Sequence, residues 1–246
     1  MSRKYSRKVA SGIVTLLLGI VAGAAQAAGP LPPHSNAFGR GYAELGAAWL
    51  EWAMAAPAPT NPILDPDGSY GAMGQSGKVW FLAGTAEGDP ATRSLTVPTG
   101  TALFFPIVNV FWVNTPETGD APWSPEQEAL ARSAVGAGVD TAQNLVLEID
   151  GKPYAVTPEY RVPSTVGMCV LPADNYWVYF GYAVLPGPHE CLVDGYWALL
   201  PPLSAGKHTI RFAGGLYSGG FALDVTYNIT VRPRQKLTKG MMAPLK

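Results

Sequence analysis

Three features of the sequence predict a mainly β protein, an antiparallel β-sandwich or jelly-roll-like fold with an N-terminal helix and a helical insertion. Phe221, Leu223, Val225, Tyr227, Ile229 and Val231 alternate with Ala222, Asp224, Thr226, Asn228 and Thr230, which puts apolar side chains on one face of a strand and mainly polar ones on the other. Ala102 to Phe111 is an apolar run of strand length containing Pro106 and Asn109, the pattern of a strand buried on both faces. Asp150-Gly151, between the alternating Leu145, Leu147 and Ile149 and the segment Lys152 to Val156, supplies the turn of a two-residue hairpin.

In chain order, the first element is an export leader. Arg3, Lys4, Arg7 and Lys8 precede an apolar core from Val9 to Ala24, and Ala25-Gln26-Ala27 is a small-x-small cleavage site. Residues 1–27 are therefore expected to be a signal peptide cut after Ala27, leaving a secreted or periplasmic protein. A spanning helix needs about 20 apolar residues. Ser11, Thr15 and several Gly and Ala dilute the leader, and Pro106 and Asn109 interrupt the longest later run, so the processed chain is not expected to span a membrane.

Leu45, Trp49, Trp52 and Ala56 recur at helical steps within residues 37–56, and Pro57, Pro59 and Pro62 end that helix. Residues 61–77 have loop chemistry, with a turn at Asp65-Pro66-Asp67-Gly68. Lys78 to Gly84 and Ser94 to Val97 follow as strands, and Pro106 marks a bulge or an edge in the next. Ser124, Pro125 and Gln127 are the cap, first position and third position of a helical insertion, which Gly136 and Gly138 are expected to stop. Ser204 to Lys207 turns into an alternating strand from His208 to Phe212. Residues 28–231 are expected to form a single sandwich domain, and the basic, aperiodic residues 232–246 a tail.

Composition narrows the function. With 48% hydrophobic and 14% charged residues, the chain can bury a core and is far from the disordered class. Residues 28–231 hold eight Lys/Arg against 18 Asp/Glu, a balance that repels phosphates, so no nucleic-acid partner is expected. Cys169 and Cys191 are the only cysteines, and an oxidising compartment favours a disulfide between them. No Gly-x-Gly-x-x-Gly fingerprint and no Gly-Lys-Ser/Thr phosphate loop occurs, and no cofactor is expected.

Catalytic signals are sparse. His34, His189 and His208 stand apart with no zinc spacing, and Gly74-Gln75-Ser76-Gly77 lacks the spacing of a nucleophile elbow. His189, Glu190 and Asp194 are the candidate acid/base set, in a Pro-stiffened segment beside Cys191. Asp65 and Asp67 are weak candidates for a calcium loop, since the full twelve-residue ligand pattern is missing. The densest feature is aromatic: Tyr176, Trp177, Tyr179, Phe180 and Tyr182, then Tyr196 and Trp197. On a strand, Trp177 and Tyr179 would share one side and Tyr176 and Phe180 the other. Rings offer apolar area with a polar handle, so Trp177, Tyr179, Tyr196 and Trp197 are the candidate ligand-binding set, with core packing as the plainer alternative.

Trp49-x-x-Trp52, Asn61-Pro62, Gln75 to Gly84, Arg93 to Pro98, Leu103 to Pro106, Asp194 to Trp197 and Pro202 to Ile210 together resemble an uncharacterised family of exported bacterial proteins, over nearly all of residues 40–231. The resemblance implies a single exported domain and carries no activity to transfer. Relatives place further cysteines near Gly71 and at the position of Leu95, where this chain has none, so a second disulfide is not implied here.

The expected role is therefore binding of a glycan or another envelope or extracellular component through an aromatic surface. The alternative is a polymer-acting hydrolase or lyase using His189, Glu190 and Asp194, and behind it stands a structural or assembly role.

Overall fold

The computed structural model describes residues 28–36, 38–217 and 220–233; the expected export leader, residues 1–27, and the expected tail beyond Pro233 lie outside the described residues. Nine strands form two packed sheets, with three α-helices. The first sheet runs β1 (Val79–Phe81), β3 (Ala102–Val113), β7 (Gly187–Leu200), β6 (Gly167–Leu171); the second runs β2 (Ala91–Pro98), β9 (Phe221–Arg232), β8 (Gly206–Leu216), β4 (Gln143–Ile149), β5 (Lys152–Pro153).

The mainly β sandwich is as the alternation predicts, but its sheets are mixed. β1 runs parallel to β3, and β2 runs parallel to β9 over eight register pairs; the other pairings are antiparallel. The reason is connectivity. β2 and β9 are far apart in sequence, so no hairpin dictates their direction, and β2 closes the edge of a sheet whose core is the β8–β9 hairpin.

Apolar patterning explains the layers. Alternation in β9 buries Leu223, Val225, Tyr227, Ile229 and Val231 against the first sheet, while Asn228 stays exposed. Phe105 on β3 and Phe212 on β8 stack across the interface with ring centroids 5.0 Å apart. Residues of β3 and β7 that point the other way, Phe104, Trp197 and Leu199, meet α1 (Tyr42–Met54), which buries Leu45, Trp49 and Leu50 on them. That second cover is why β3 has no polar alternation over its first half. α2 (Pro125–Val139) packs Ala131 and Val135 on Leu192 and on Val110 and Trp112.

Local signals set the ends of several elements. Ser124 Oγ accepts from the Gln127 N–H at 3.2 Å, the predicted cap. Asp150 and Gly151 both take positive φ, as the type I′ turn requires. Pro106 does produce a bulge, with the β3–β7 register shifting between Pro106 and Val108. Gly195 makes room for it, because a Cβ there would lie 2.6 Å from the Val108 carbonyl oxygen.

Other expectations need correction. The strand expected over Lys78 to Gly84 is only Val79–Phe81, because the chain leaves the sheet at Leu82. The helix expected from residue 37 starts at Tyr42. Gly136 and Gly138 lie inside α2 rather than ending it. Gly138 serves close packing, since a Cβ there would fall 2.9 Å from both Tyr217 Oη and Val110 Cγ2. Tyr176–Tyr179 is a single helical turn, α3, not a strand.

Cys169 and Cys191 are disulfide-bonded, with Cα atoms 6.0 Å apart on the paired strands β6 and β7. Among the described residues no helix is long and apolar enough to cross a membrane. The bridge spans 22 residues of sequence, including α3. Reducing it, or replacing both cysteines with serine, is expected to lower unfolding free energy by about 3 kcal/mol; urea denaturation with and without reductant measures this, and no shift in midpoint would refute a stabilising role.

Candidate functional site

β1 pairs only with Ala102–Phe104, so the remainder of β3 has a neighbour, β7, on one side alone. An aromatic cleft of about 200 Å³ opens against that uncovered edge. β3 contributes Asn109, Val110 and Phe111, the segment after β1 contributes Gly84 to Ala86, and α3 contributes Tyr176 and Trp177. The β8–β9 hairpin adds Tyr217 and Phe221, and Trp49 and Ile63 complete the wall. A cavity of about 150 Å³ holds benzene, so this cleft accommodates one substituted six-membered ring.

α3 exists because of Asn175. Its fully buried side chain accepts N–H bonds from Trp177 (3.0 Å) and Val178 (3.2 Å) through Oδ1, and its Nδ2 donates to the carbonyls of Pro172 (3.1 Å) and Val184 (3.2 Å). This cap turns the aromatic run into a helical turn that delivers Tyr176 and Trp177 together to Phe111, each with its ring centroid 5.9 Å from that ring.

The opposite wall is fixed by Arg93, on the inward face of β2 and 1% exposed. Its Nη1 donates to the carbonyls of Ala83 (2.7 Å) and Gly84 (3.1 Å) and to Tyr227 Oη (2.9 Å), and Nη2 donates to the Ile63 carbonyl (3.4 Å). The guanidinium also lies 5.7 Å from the Tyr227 ring centroid. No carboxylate pairs with it among the described residues. It acts as a buried clamp on two carbonyl-bearing segments, and both of those segments enter the cleft.

Two enclosed polar atoms of the lining have no hydrogen-bond partner among the described residues. Trp177 Nε1 and Thr85 Oγ1 are enclosed yet unbonded. Tyr176, 8% exposed, and Asn109 also line the cleft. Burial pushes the Tyr176 phenol up to about 12, with the Glu87 charge adding to the shift, so it is a protonated donor at neutral pH. Among the described residues, no Lys, Arg, Asp or Glu lines this cleft.

The four candidate ligand-binding aromatics divide. Trp177 lines the cleft, and Tyr179, 58% exposed, lines an adjoining hollow. Trp197 is instead fully buried under α1, stacked on Phe104 at 5.0 Å with Nε1 donating to the Val162 carbonyl, so it presents nothing to a ligand. Tyr196 is half-buried against the inter-sheet core. Their strand faces both layers, which leaves no displayed side.

The acid/base set does not converge. His189 and Asp194 are five residues apart on one strand, about 17 Å, and point to opposite faces. The two His189 nitrogens face the carbonyls of Asn114 (2.8 Å) and Leu185 (3.0 Å). Asp194 Oδ2 accepts from Arg161 Nη2 (2.8 Å) and Nε (3.1 Å), and Arg161 also bonds Asp140 and the Gly136 carbonyl, tying β7 to α2. Glu190 faces away from His189. Asp65 and Asp67 are also engaged locally: Asp65 accepts from the N–H groups of Asp67, Gly68 and Tyr70, and Asp67 from the Ser69 N–H and hydroxyl. No cluster of three or more His, Cys, Asp or Glu placed to hold a metal occurs among the described residues.

One constellation the sequence does not advertise is Asp150, His208 and Ser204. His208 Nδ1 lies 2.8 Å from Asp150 Oδ2, and Nε2 lies 3.2 Å from Ser204 Oγ. Nε2 is also 3.0 Å from the Ser204 carbonyl oxygen. The imidazole thereby ties the Asp150–Gly151 turn to the turn at Ser204.

No family model matches this chain, and no curated protein matches it. Among solved structures, it is similar to a chain of one described as "Structure of PbICP-C in complex with falcipain-2", with 15% identity and a TM-score of 0.24 over 63% of this chain and 100% of that one. It is also similar to one described as "Solution Structure of Amebosin", with 10% identity and a TM-score of 0.16 over 58% of this chain and 96% of that one. At such TM-scores neither likeness bears on fold or function.

Two expectations follow for the site. Arg93→Met leaves the Gly84 and Ile63 carbonyls without their donor and should lower unfolding free energy by about 2–4 kcal/mol; urea denaturation showing a loss below about 1 kcal/mol would rule out the clamp. Tyr176 carries a raised pKa when folded, so its contribution is full below the ordinary phenol value of 10.0 and is lost as pH rises from there towards about 12. The alkaline loss of stability in that window should shrink in Tyr176→Phe, as thermal melts across it would register.

Proposed function

We propose that this is an exported binding protein that holds a sugar ring of a glycan, or a like envelope or extracellular component, in the aromatic cleft between α3, the uncovered half of β3 and the β8–β9 hairpin. The observation that carries the reading is the pair of enclosed, unengaged polar atoms, Thr85 Oγ1 and Trp177 Nε1, around a ring-sized apolar space that Asn109 and Tyr176 also line. Buried polar groups are normally satisfied, and leaving them open costs about 1–3 kcal/mol each. A hydroxylated ring would recover that cost while its apolar faces cover the aromatic walls.

The export leader and the disulfide support an extracytoplasmic setting for such a role. In the hydrolase alternative the candidate residues His189, Glu190 and Asp194 do not meet, and no observation favours it over binding.

Calorimetry against a panel of soluble oligosaccharides tests the reading. Trp177→Phe, which keeps the ring and removes the N–H, should weaken binding about tenfold, a loss of one charge-free but enclosed hydrogen bond. Trp177→Ala should abolish it while near-ultraviolet dichroism reports an intact fold. Unchanged affinity in both variants, or no binding by any glycan, would end the proposal.

A further inference from the structure

The cleft does not stop at α3. Ile63, Thr85 and Ala86 line both it and a second hollow of about 160 Å³, so the two adjoin across a shared wall as a paired groove. The second hollow is also ring-sized, and Tyr179 stands at it as an exposed aromatic platform.

Its chemistry differs from that of the cleft. Asp65, Glu87 and Asp89 line it, and the carboxylate oxygens of Asp65 are occupied by its own turn. Glu87 and Asp89 are exposed and take no hydrogen bond or ion pair from any described residue. The single cation in the wall, Arg93, is sunk with its terminal nitrogens committed to carbonyls and to Tyr227, while its enclosed Nε is unbonded. Ionised carboxylates accept and never donate. This subsite therefore favours hydrogen-bond donors and positive charge and repels anions, whereas the cleft beside it, with no charged lining, suits an uncharged ring. Tyr176, 8% exposed as a residue, lies in the lining of the cleft within reach of the Glu87 charge, which links the two halves electrostatically.

We infer that the groove binds a basic amino-sugar oligosaccharide, with one ring in the aromatic cleft and the next, carrying a protonated amine, over Tyr179 against Glu87 and Asp89. This rests on the reading that the cleft holds a sugar ring, and it adds the length and charge of the ligand. Acidic glycans are excluded by the same carboxylates.

Calorimetry with three probes decides it: the trimers of glucosamine, N-acetylglucosamine and galacturonic acid, at mildly acidic pH and at low and physiological ionic strength. The glucosamine trimer should bind about fivefold tighter than its N-acetyl counterpart at low salt, with the galacturonate trimer weakest. That advantage should shrink at physiological salt and disappear in Glu87→Gln/Asp89→Asn, two exposed positions whose replacement spares the fold. An order of affinities that ignores the double substitution, or an acidic trimer binding as tightly as the basic one, overturns the inference. If Trp177→Ala still abolishes binding in that case, or if none of the trimers binds while another oligosaccharide does, the inference falls and the cleft reading survives alone; if no oligosaccharide binds the native protein, both fall.

Discussion

β3 is covered on both faces but on only part of one edge, and most of what distinguishes this fold follows from that asymmetry. Its faces are buried by α1 on one side and by the second sheet and α2 on the other, so the strand must be apolar at consecutive positions. Its edge partner β1 is three residues long and ends at Phe81. Past that point the chain has to satisfy the space beside β3 with something other than a strand, and it does so with aromatic side chains from α3 and the β8–β9 hairpin. The cleft is thus a consequence of sheet geometry rather than an embellishment on it.

Two buried polar residues hold the cleft's sides in place. Arg93 couples the segments at Ile63 and Ala83–Gly84 to Tyr227 in the second sheet, and Asn175 organises the turn that carries Tyr176 and Trp177. Each spends nearly all its donors or acceptors on backbone atoms of a neighbouring segment. Such groups cost free energy to bury and repay it only when satisfied, which makes them positional specifiers. The disulfide adds a covalent limit, since α3 lies within the loop it closes. Support of this kind fixes the walls of a site in position.

Both residues leave a trace in the sequence. Arg93 falls in phase with Leu95 and Val97, so the alternation of β2 points a guanidinium inward, an anomaly that marks a buried polar hub. Asn175 precedes the aromatic run as a helix cap would. Neither trace says what lies on the far side. The aromatic run from Tyr176 was open to a strand interpretation because four residues are too few to show a helical period, and the cap alone decides between the two. Likewise Tyr196 and Trp197 look like Tyr176 and Trp177 in one dimension, yet one pair belongs to a strand enclosed by layers and the other to a surface turn.

Local grammar was legible in the residues alone: period-two alternation, the Asp150-Gly151 turn, the Ser124 cap, the Pro106 bulge and the pairing of the only two cysteines. These depend on interactions within a few residues or on composition, and they survive without knowledge of neighbours. Tertiary structure alone decided the parallel pairing of β2 with β9, the separation of His189 from Asp194, the burial of Trp197 and the meeting of Thr85, Asn109, Tyr176 and Trp177 around one space. These arise where segments tens of residues apart compete for the same surface, and packing between layers, which no local pattern encodes, settles which of them stays exposed.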